Sequence, residues 1–305
     1  MKILVATEKP FAKVAIDGIR QIVEAAGCEL TLLEKYTDVS QLYDAVADAD
    51  GLIVRSDKVT AEVVAHASKL KIVVRAGAGY DNLDLAACSA KGIVAMNTPG
   101  QNSNAVAELA LGMMLFMARN HFQPGTGTEL KGKTRGIQAY GNVGRLVAQL
   151  AKGFGMDVLA FDPFVPVDKM VAEGVTPITD LKELYRRSNY LSLHIPANEQ
   201  TKKSINYDLL SVMPKGACLV NTARKEVIHE EDLMRVMEER PDFKYVSDIA
   251  PDSLAALQEK FGTRVFATAK KMGAETAEAN VNAGLAAANQ VVGFLKEGVD
   301  RFRVN

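Results

Sequence analysis

Along the first hundred residues, short β-branched runs alternate with segments of helical spacing. Lys2–Ala6, Glu29–Leu33, Gly51–Val54, Lys71–Arg75 and Ile93–Met96 read as strands. Between them apolar positions recur at the helical period, as in Ala15, Ile19, Ile22 and Val23. Strands alternating with helices predict a parallel sheet covered on both faces. Asn102-Ser103-Asn104 then offers caps for a helix over Ala105–Asn120. That helix is apolar nearly all round, which predicts burial between domains or between subunits. Gln123–Lys133 reads as a connection rich in Gly and Thr. A second alternating block starts near Thr134, with strands at Asp157–Phe161, Tyr190–Leu193, Ala217–Asn221, Tyr245–Ile249 and Arg264–Thr268. The Ala- and Asn-rich run Glu275–Lys296 has helical spacing and the length to cross from one domain to the other. The pattern predicts an α/β chain of two doubly wound parallel-sheet domains with a cleft between them. One domain comprises residues 1–100 plus 276–305, the other residues 101–275.

Composition narrows the function classes. A chain of 305 residues suits two domains. Lys plus Arg is 36 against 37 for Asp plus Glu, so no basic excess points to nucleic acid. The longest apolar stretch, Ala105–Ala118, contains Glu108 and falls short of the ~20 residues of a membrane span. Ile3–Ala6 is too short for a signal peptide. Cys28, Cys88 and Cys218 cannot all pair and show no C-x-x-C spacing. They read as small buried hydrophobes in a reducing cytoplasm, and no metal is expected.

Candidate chemistry begins at Ala139-Tyr140-Gly141-Asn142-Val143-Gly144. The segment lies between a strand and a helix marked by Val143, Leu146, Val147, Leu150, Ala151 and Phe154. It approximates the dinucleotide-binding G-x-G-x-x-G, with Ala139 at the first glycine position. The glycines admit a pyrophosphate to the backbone, and the helix N-terminus supplies N–H donors. The following strand ends in Asp162, eighteen residues after Gly144, near the distance at which a carboxylate accepts from the adenosine ribose hydroxyls. That carboxylate would repel a 2′-phosphate, which favours NAD over NADP.

Several further segments resemble the D-isomer-specific 2-hydroxyacid dehydrogenases. Val54-Arg55-Ser56 with Val74-Arg75-Ala76-Gly77-Ala78-Gly79-Tyr80-Asp81-Asn82 looks like that family's substrate-loop signature. Asn97-Thr98-Pro99 with Ala107-Glu108 looks like its hinge and helix. His194-Ile195-Pro196, Val220-Asn221-Thr222-Ala223-Arg224 and Ser247-Asp248-Ile249 look like the ends of three later strands in its nucleotide domain. Within the family the likeness is greatest to the phosphoglycerate dehydrogenases, in a short form without a C-terminal regulatory domain. The fold this implies is Rossmann- or flavodoxin-like in both domains.

The resemblance implies an NAD-dependent oxidation of 3-phosphoglycerate to 3-phosphohydroxypyruvate, the first step of serine synthesis, by a homodimer. Alternatives are another 2-hydroxyacid dehydrogenase, acting on glyoxylate, hydroxypyruvate or lactate, or a non-catalytic NAD-sensing protein of the same fold. The chemistry needs a carboxylate anchor, a proton carrier and a cleft that excludes water. Arg224 suits the anchor, because a guanidinium offers two parallel donors and stays charged. The N–H groups of Ala76 and Gly77 resemble further carboxylate ligands, and Arg55 with Ser56 would meet a remote phosphate, with Lys58, Arg75 and residues of a second subunit as competitors. Besides Gly141, Asn142, Val143, Gly144 and Asp162, the resemblance places His194, Pro196, Thr222, Ala223, Asp248 and Gly273 at the cofactor.

The proton carrier departs from the family pattern of a Glu followed by Pro-His-Ile-Gly. Here Lys271 occupies the His position ahead of Met272-Gly273, as in some short phosphoglycerate dehydrogenases. An amine can perform that exchange if burial lowers its pKa. Lys270, Asp252 and His194 stand as alternatives, with Asp252 a loose substitute for the partner Glu.

Overall fold

The computed structural model describes residues 1–305, which divide into two compact units, residues 1–102 with 275–305 and residues 103–274. The first unit is a five-stranded parallel sheet. Its strands are β1 (Lys2–Thr7), β2 (Glu29–Glu34), β3 (Gly51–Val54), β4 (Ile72–Arg75) and β5 (Val94–Asn97). They lie in the order β2-β1-β3-β4-β5. Successive side chains of a strand serve opposite faces. Ile3 and Val5 pack with α1 (Lys13–Ala25) and with the long C-terminal helix Ala277–Glu297. Leu4 and Ala6 pack with α2 (Val39–Val46), α3 (Ala61–His66) and α4 (Leu85–Ala90). Both faces are therefore apolar, which is why the strands read as continuous hydrophobic runs.

The second unit opens with α5 (Ser103–Ala118). Seven parallel strands follow: β6 (Thr134–Gln138), β7 (Asp157–Phe161), β8 (Thr176–Pro177), β9 (Tyr190–Leu193), β10 (Cys218–Asn221), β11 (Lys244–Ser247) and β12 (Val265–Ala267). Their order is β12-β11-β10-β9-β6-β7-β8. The order reverses between β6 and β9, the switch point at which open α/β sheets bind ligands. On one face α5 and α6 (Asn142–Gly153) cover Ile137, Val158, Val220 and Val246. On the other, α8 (Leu181–Arg187), α10 (Glu230–Glu239) and α11 (Leu254–Phe261) cover Leu191, Leu219 and Tyr245, among others. The intervening α7 (Val167–Ala172) and α9 (Tyr207–Leu210) are short, and the C-terminal helix is α12.

The bounds of β3, β7 and β9 match the sequence expectation, other element ends shift by one or two residues, and β8, only two residues long, has no periodicity to announce it. All three cysteines are buried and unpaired. No helix is long and apolar enough to cross a membrane.

Candidate active site

In the second unit the strand ends gather the predicted cofactor residues. β6 ends at Gln138 and passes into the loop Ala139–Gly144. Gly141 is the N-cap of α6 and offers no side-chain cap, so the first-turn N–H groups stay open to an anion. A Cβ on Gly141 would meet nothing within 4 Å, which leaves the backbone approachable. A Cβ on Gly144 would stand 2.3 Å from the Ala139 carbonyl oxygen, so only glycine lets α6 pack this close to β6. Asn142 and Val143 form the first turn beside them. Ala139 itself has φ +77°, the left-handed region that a glycine would occupy without penalty. The loop thus keeps the geometry of the full motif where its sequence departs from it.

Asp162 follows β7 and stands against the same loop. One carboxylate oxygen accepts from the Tyr140 N–H at 2.8 Å and the other from the Phe164 N–H at 2.8 Å. A carboxylate oxygen has a second lone pair, so capacity for ribose hydroxyls is retained. Phe164, which the sequence reading passed over, is 91% exposed beside it. At the end of β10 the Thr222 hydroxyl is buried without a partner. An open helix N-terminus, an unobstructed glycine at its cap, an acid beside it and an orphaned hydroxyl together fit a dinucleotide.

His194 and Pro196 follow β9. The His194 N–H donates to the Gln138 carbonyl at 3.0 Å, and Ser192 Oγ lies 2.9 Å from Nε2. Burial, with the buried Arg135 cation adding to it, pushes the imidazole down to about 3. A ring held neutral at physiological pH is a poor acid.

The ends of β10, β11 and β12 bring the catalytic candidates together. Lys271 Nζ donates to the Ala223 carbonyl at 2.7 Å and to the Thr222 carbonyl at 3.3 Å. Arg224 Nη1 donates to the same Ala223 oxygen at 3.0 Å. Two basic side chains therefore share one acceptor. Burial lowers the Lys271 pKa, Asp248 opposes, and Arg224 lowers it further. The Asp248 carboxylate, wholly buried, lies 3.4 Å from Lys271 Nζ and accepts the Gly273 N–H at 2.9 Å. Asp252 is turned away into an ion pair with Lys225 on the surface. Lys270 has no side-chain partner within the chain, while its carbonyl accepts from Thr268 Oγ1.

In the first unit Arg55 leaves the end of β3. Nη2 donates to Asn280 Oδ1 at 2.6 Å, Nη1 reaches the Lys9 and Pro10 carbonyls at 3.4 Å, and the guanidinium lies over the Phe11 ring. Asp57 braces the turn by accepting from Glu8 N and Tyr36 OH. Ser56 and Lys58 are exposed. Arg75 is drawn back, with Nε on the Arg55 carbonyl at 3.0 Å.

The structure corrects the expectation for Ala76 and Gly77. Both are buried, and both N–H groups are spent inside the chain, on the Val54 carbonyl at 2.8 Å and the Arg75 carbonyl at 2.9 Å. The next two N–H groups, of the exposed Ala78 and half-buried Gly79, have no partner within the chain. The free donors thus lie two residues further on. Asn280 was also missed; only its place four residues after the helix cap Thr276 hinted at it.

Comparison with known proteins agrees with this architecture. Residues 105–261 match the model of the D-isomer specific 2-hydroxyacid dehydrogenase NAD binding domain. The D-3-phosphoglycerate dehydrogenase of Methanocaldococcus jannaschii is 35% identical over 84% of this chain, which spans only 52% of that relative. The chain thus covers about half the length of several phosphoglycerate dehydrogenases it matches. The hydroxypyruvate reductase of Thermotoga maritima is 39% identical over 67% of this chain and 70% of its own length. Among solved structures, NAD+-bound 3-phosphoglycerate dehydrogenase of Entamoeba histolytica is 48% identical with a TM-score of 0.89, covering 100% of this chain and 98% of that one. With more than half of its length in the family's NAD binding domain, and that domain's sheet order and phosphate loop in place, the chain belongs to the D-isomer specific 2-hydroxyacid dehydrogenases.

Proposed function

We propose that the protein is an NAD-dependent dehydrogenase that oxidises D-3-phosphoglycerate to 3-phosphohydroxypyruvate. The observation that carries the reading is the convergence of Lys271 and Arg224 on the Ala223 carbonyl, at the strand ends of an NAD binding domain. Arg224 holds the substrate carboxylate; in the first unit taken by itself, the N–H groups of Ala78 and Gly79 offer two neutral donors to an anion. Arg55, steadied by Asn280, meets the phosphate with Ser56 beside it. Neutral Lys271 takes the C2 hydroxyl proton during oxidation and returns it during reduction. Bound NAD would supply the hydride acceptor; the loop from Gly141 to Gly144, Asp162, His194, Pro196, Thr222, Ala223 and Gly273 would surround its site, with the Asp248 carboxylate behind Gly273.

A phosphorylated substrate is supported by the 48% identity to the Entamoeba histolytica enzyme over the full chain. The likeness to a hydroxypyruvate reductase keeps an unphosphorylated 2-hydroxy acid as the second reading. NADH formation with a panel of 2-hydroxy acids separates them. The expected result is a kcat/KM for 3-phosphoglycerate at least tenfold above glycerate, lactate or glycolate. Turnover of no acid at all would leave an NAD-binding protein without this chemistry. We further propose a cytoplasmic homodimer that uses no nucleic acid or membrane. The outer side of α5 keeps Leu109, Leu115 and Phe116 half-exposed around Gly112, a surface suited to a second copy.

A further inference from the structure

We propose that Asp248 is the positioning carboxylate of Lys271, fixing both the loop that carries the amine and the direction of its head group. The inference rests on the reading of Lys271 as proton carrier and deepens it. Three contacts define the arrangement. Asp248 Oδ1 faces Lys271 Nζ at 3.4 Å, and Oδ2 accepts the Gly273 N–H at 2.9 Å. The Asp248 carbonyl accepts from Thr268 Oγ1 at 2.7 Å. The loop is thus tied to one residue on either side of Lys271. A Cβ on Gly273 would stand 2.7 Å from Oδ2, so glycine is what lets backbone and carboxylate close up.

The other acid near in sequence does not compete. Asp252 is engaged by Lys225, and its N–H by Glu230. Asp248 is wholly buried, and a buried carboxylate is stable only with partners such as these. The charged groups acting on Lys271 are Asp248 after β11, Arg224 after β10, and Glu226 in the turn behind Arg224. Arg224 drives the proton off the amine, and Asp248 holds it on. Asp248 therefore also keeps the amine from losing its proton too readily for the reverse reaction.

The test compares the wild type with Asp248→Asn, Asp248→Glu and Lys271→Ala. NADH formation is measured from pH 6 to 11 (roughly the span over which a depressed lysine titrates), and NAD affinity by fluorescence titration. Asp248→Asn keeps an acceptor for Gly273 and removes the charge. The expected result is a kcat lower by about tenfold, from a misplaced base. The pH at which oxidation reaches half its maximum should fall by about one unit, because the carboxylate no longer holds the proton. NAD affinity should change by less than about threefold. A loss confined to NAD affinity, with the pH limb unmoved, would overturn the proposal and return Asp248 to the cofactor. If Asp248→Asn does not fold, Asp248→Glu decides. It keeps the charge but displaces it, so kcat should fall while the limb stays near that of the wild type; an unchanged kcat would refute positioning. Near-normal kcat in Lys271→Ala would remove the proton carrier itself. Loss of activity there, with a wild-type pH limb in Asp248→Asn, would remove only the present inference.

Discussion

The proton state of Lys271 decides the direction in which the proposed chemistry responds to pH. Oxidation needs the neutral amine and reduction the ammonium. Burial first, and Arg224 after the opposing Asp248, place the amine below the ordinary lysine range. Oxidation should therefore rise with pH through that lowered pKa and level off above it, while reduction falls over the same span. Lys271→Ala should lower kcat by ~10²–10⁴ and remove this limb, with little change in NAD affinity. Steady-state rates across pH check both, and near-normal kcat would return attention to Lys270, Asp252 or His194. His194, pushed down to about 3, should contribute no inflection between pH 5 and 8. Arg224 was proposed from the ordered motif Val220-Asn221-Thr222-Ala223-Arg224, and Lys271 from its place ahead of Met272-Gly273, where the chain departs from the family's His. Their common acceptor, the Ala223 oxygen, was not legible in the sequence, because a backbone carbonyl carries no sequence signature.

Among the elements, the phosphate loop carries a conflict between local preference and required shape. Ala139 holds φ +77°, where an L side chain costs ~1–2 kcal/mol. Ala139→Gly should stabilise the protein by ~1 kcal/mol after glycine's greater unfolded freedom is set against that strain. Urea unfolding measures it, and a loss of stability would show that the alanine methyl makes compensating contacts. Asp162→Ala should weaken NAD by ~1–3 kcal/mol, from lost charged-group hydrogen bonds, and narrow the gap between NAD and NADP. Because Asp162 also holds the Tyr140 and Phe164 N–H groups, part of that loss will reflect a loosened loop. Measuring both cofactors separates the two: loosening weakens them equally, whereas removal of the ribose acceptor favours NADP relatively. Unchanged discrimination would place Asp162 away from the ribose.

At the scale of the whole molecule, the remaining prediction concerns assembly. If α5 meets a second copy, light scattering at micromolar concentration should give about twice the mass of the chain. Charging the exposed side of the helix, as in Leu109→Glu, should shift that equilibrium toward monomer; a stable wild-type monomer would refute the dimer. What the sequence determined by itself was the run of elements and most motif positions. Strands buried on both faces must be continuously apolar, and amphipathic helices must repeat at 3.6, so Gly51–Val54, Asp157–Phe161 and Tyr190–Leu193 were readable to the residue. The turn into α6 was readable from Gly141 and Gly144, although Ala139 replaces the first glycine of the pattern. Which polar groups remain free was settled by packing across the chain. The Ala76 N–H is taken by Val54 on the neighbouring strand, and Asp248 reaches Gly273 across the loop after β12. Such pairings are set by which strands become neighbours and how closely their ends approach, and no local pattern of residues encodes that.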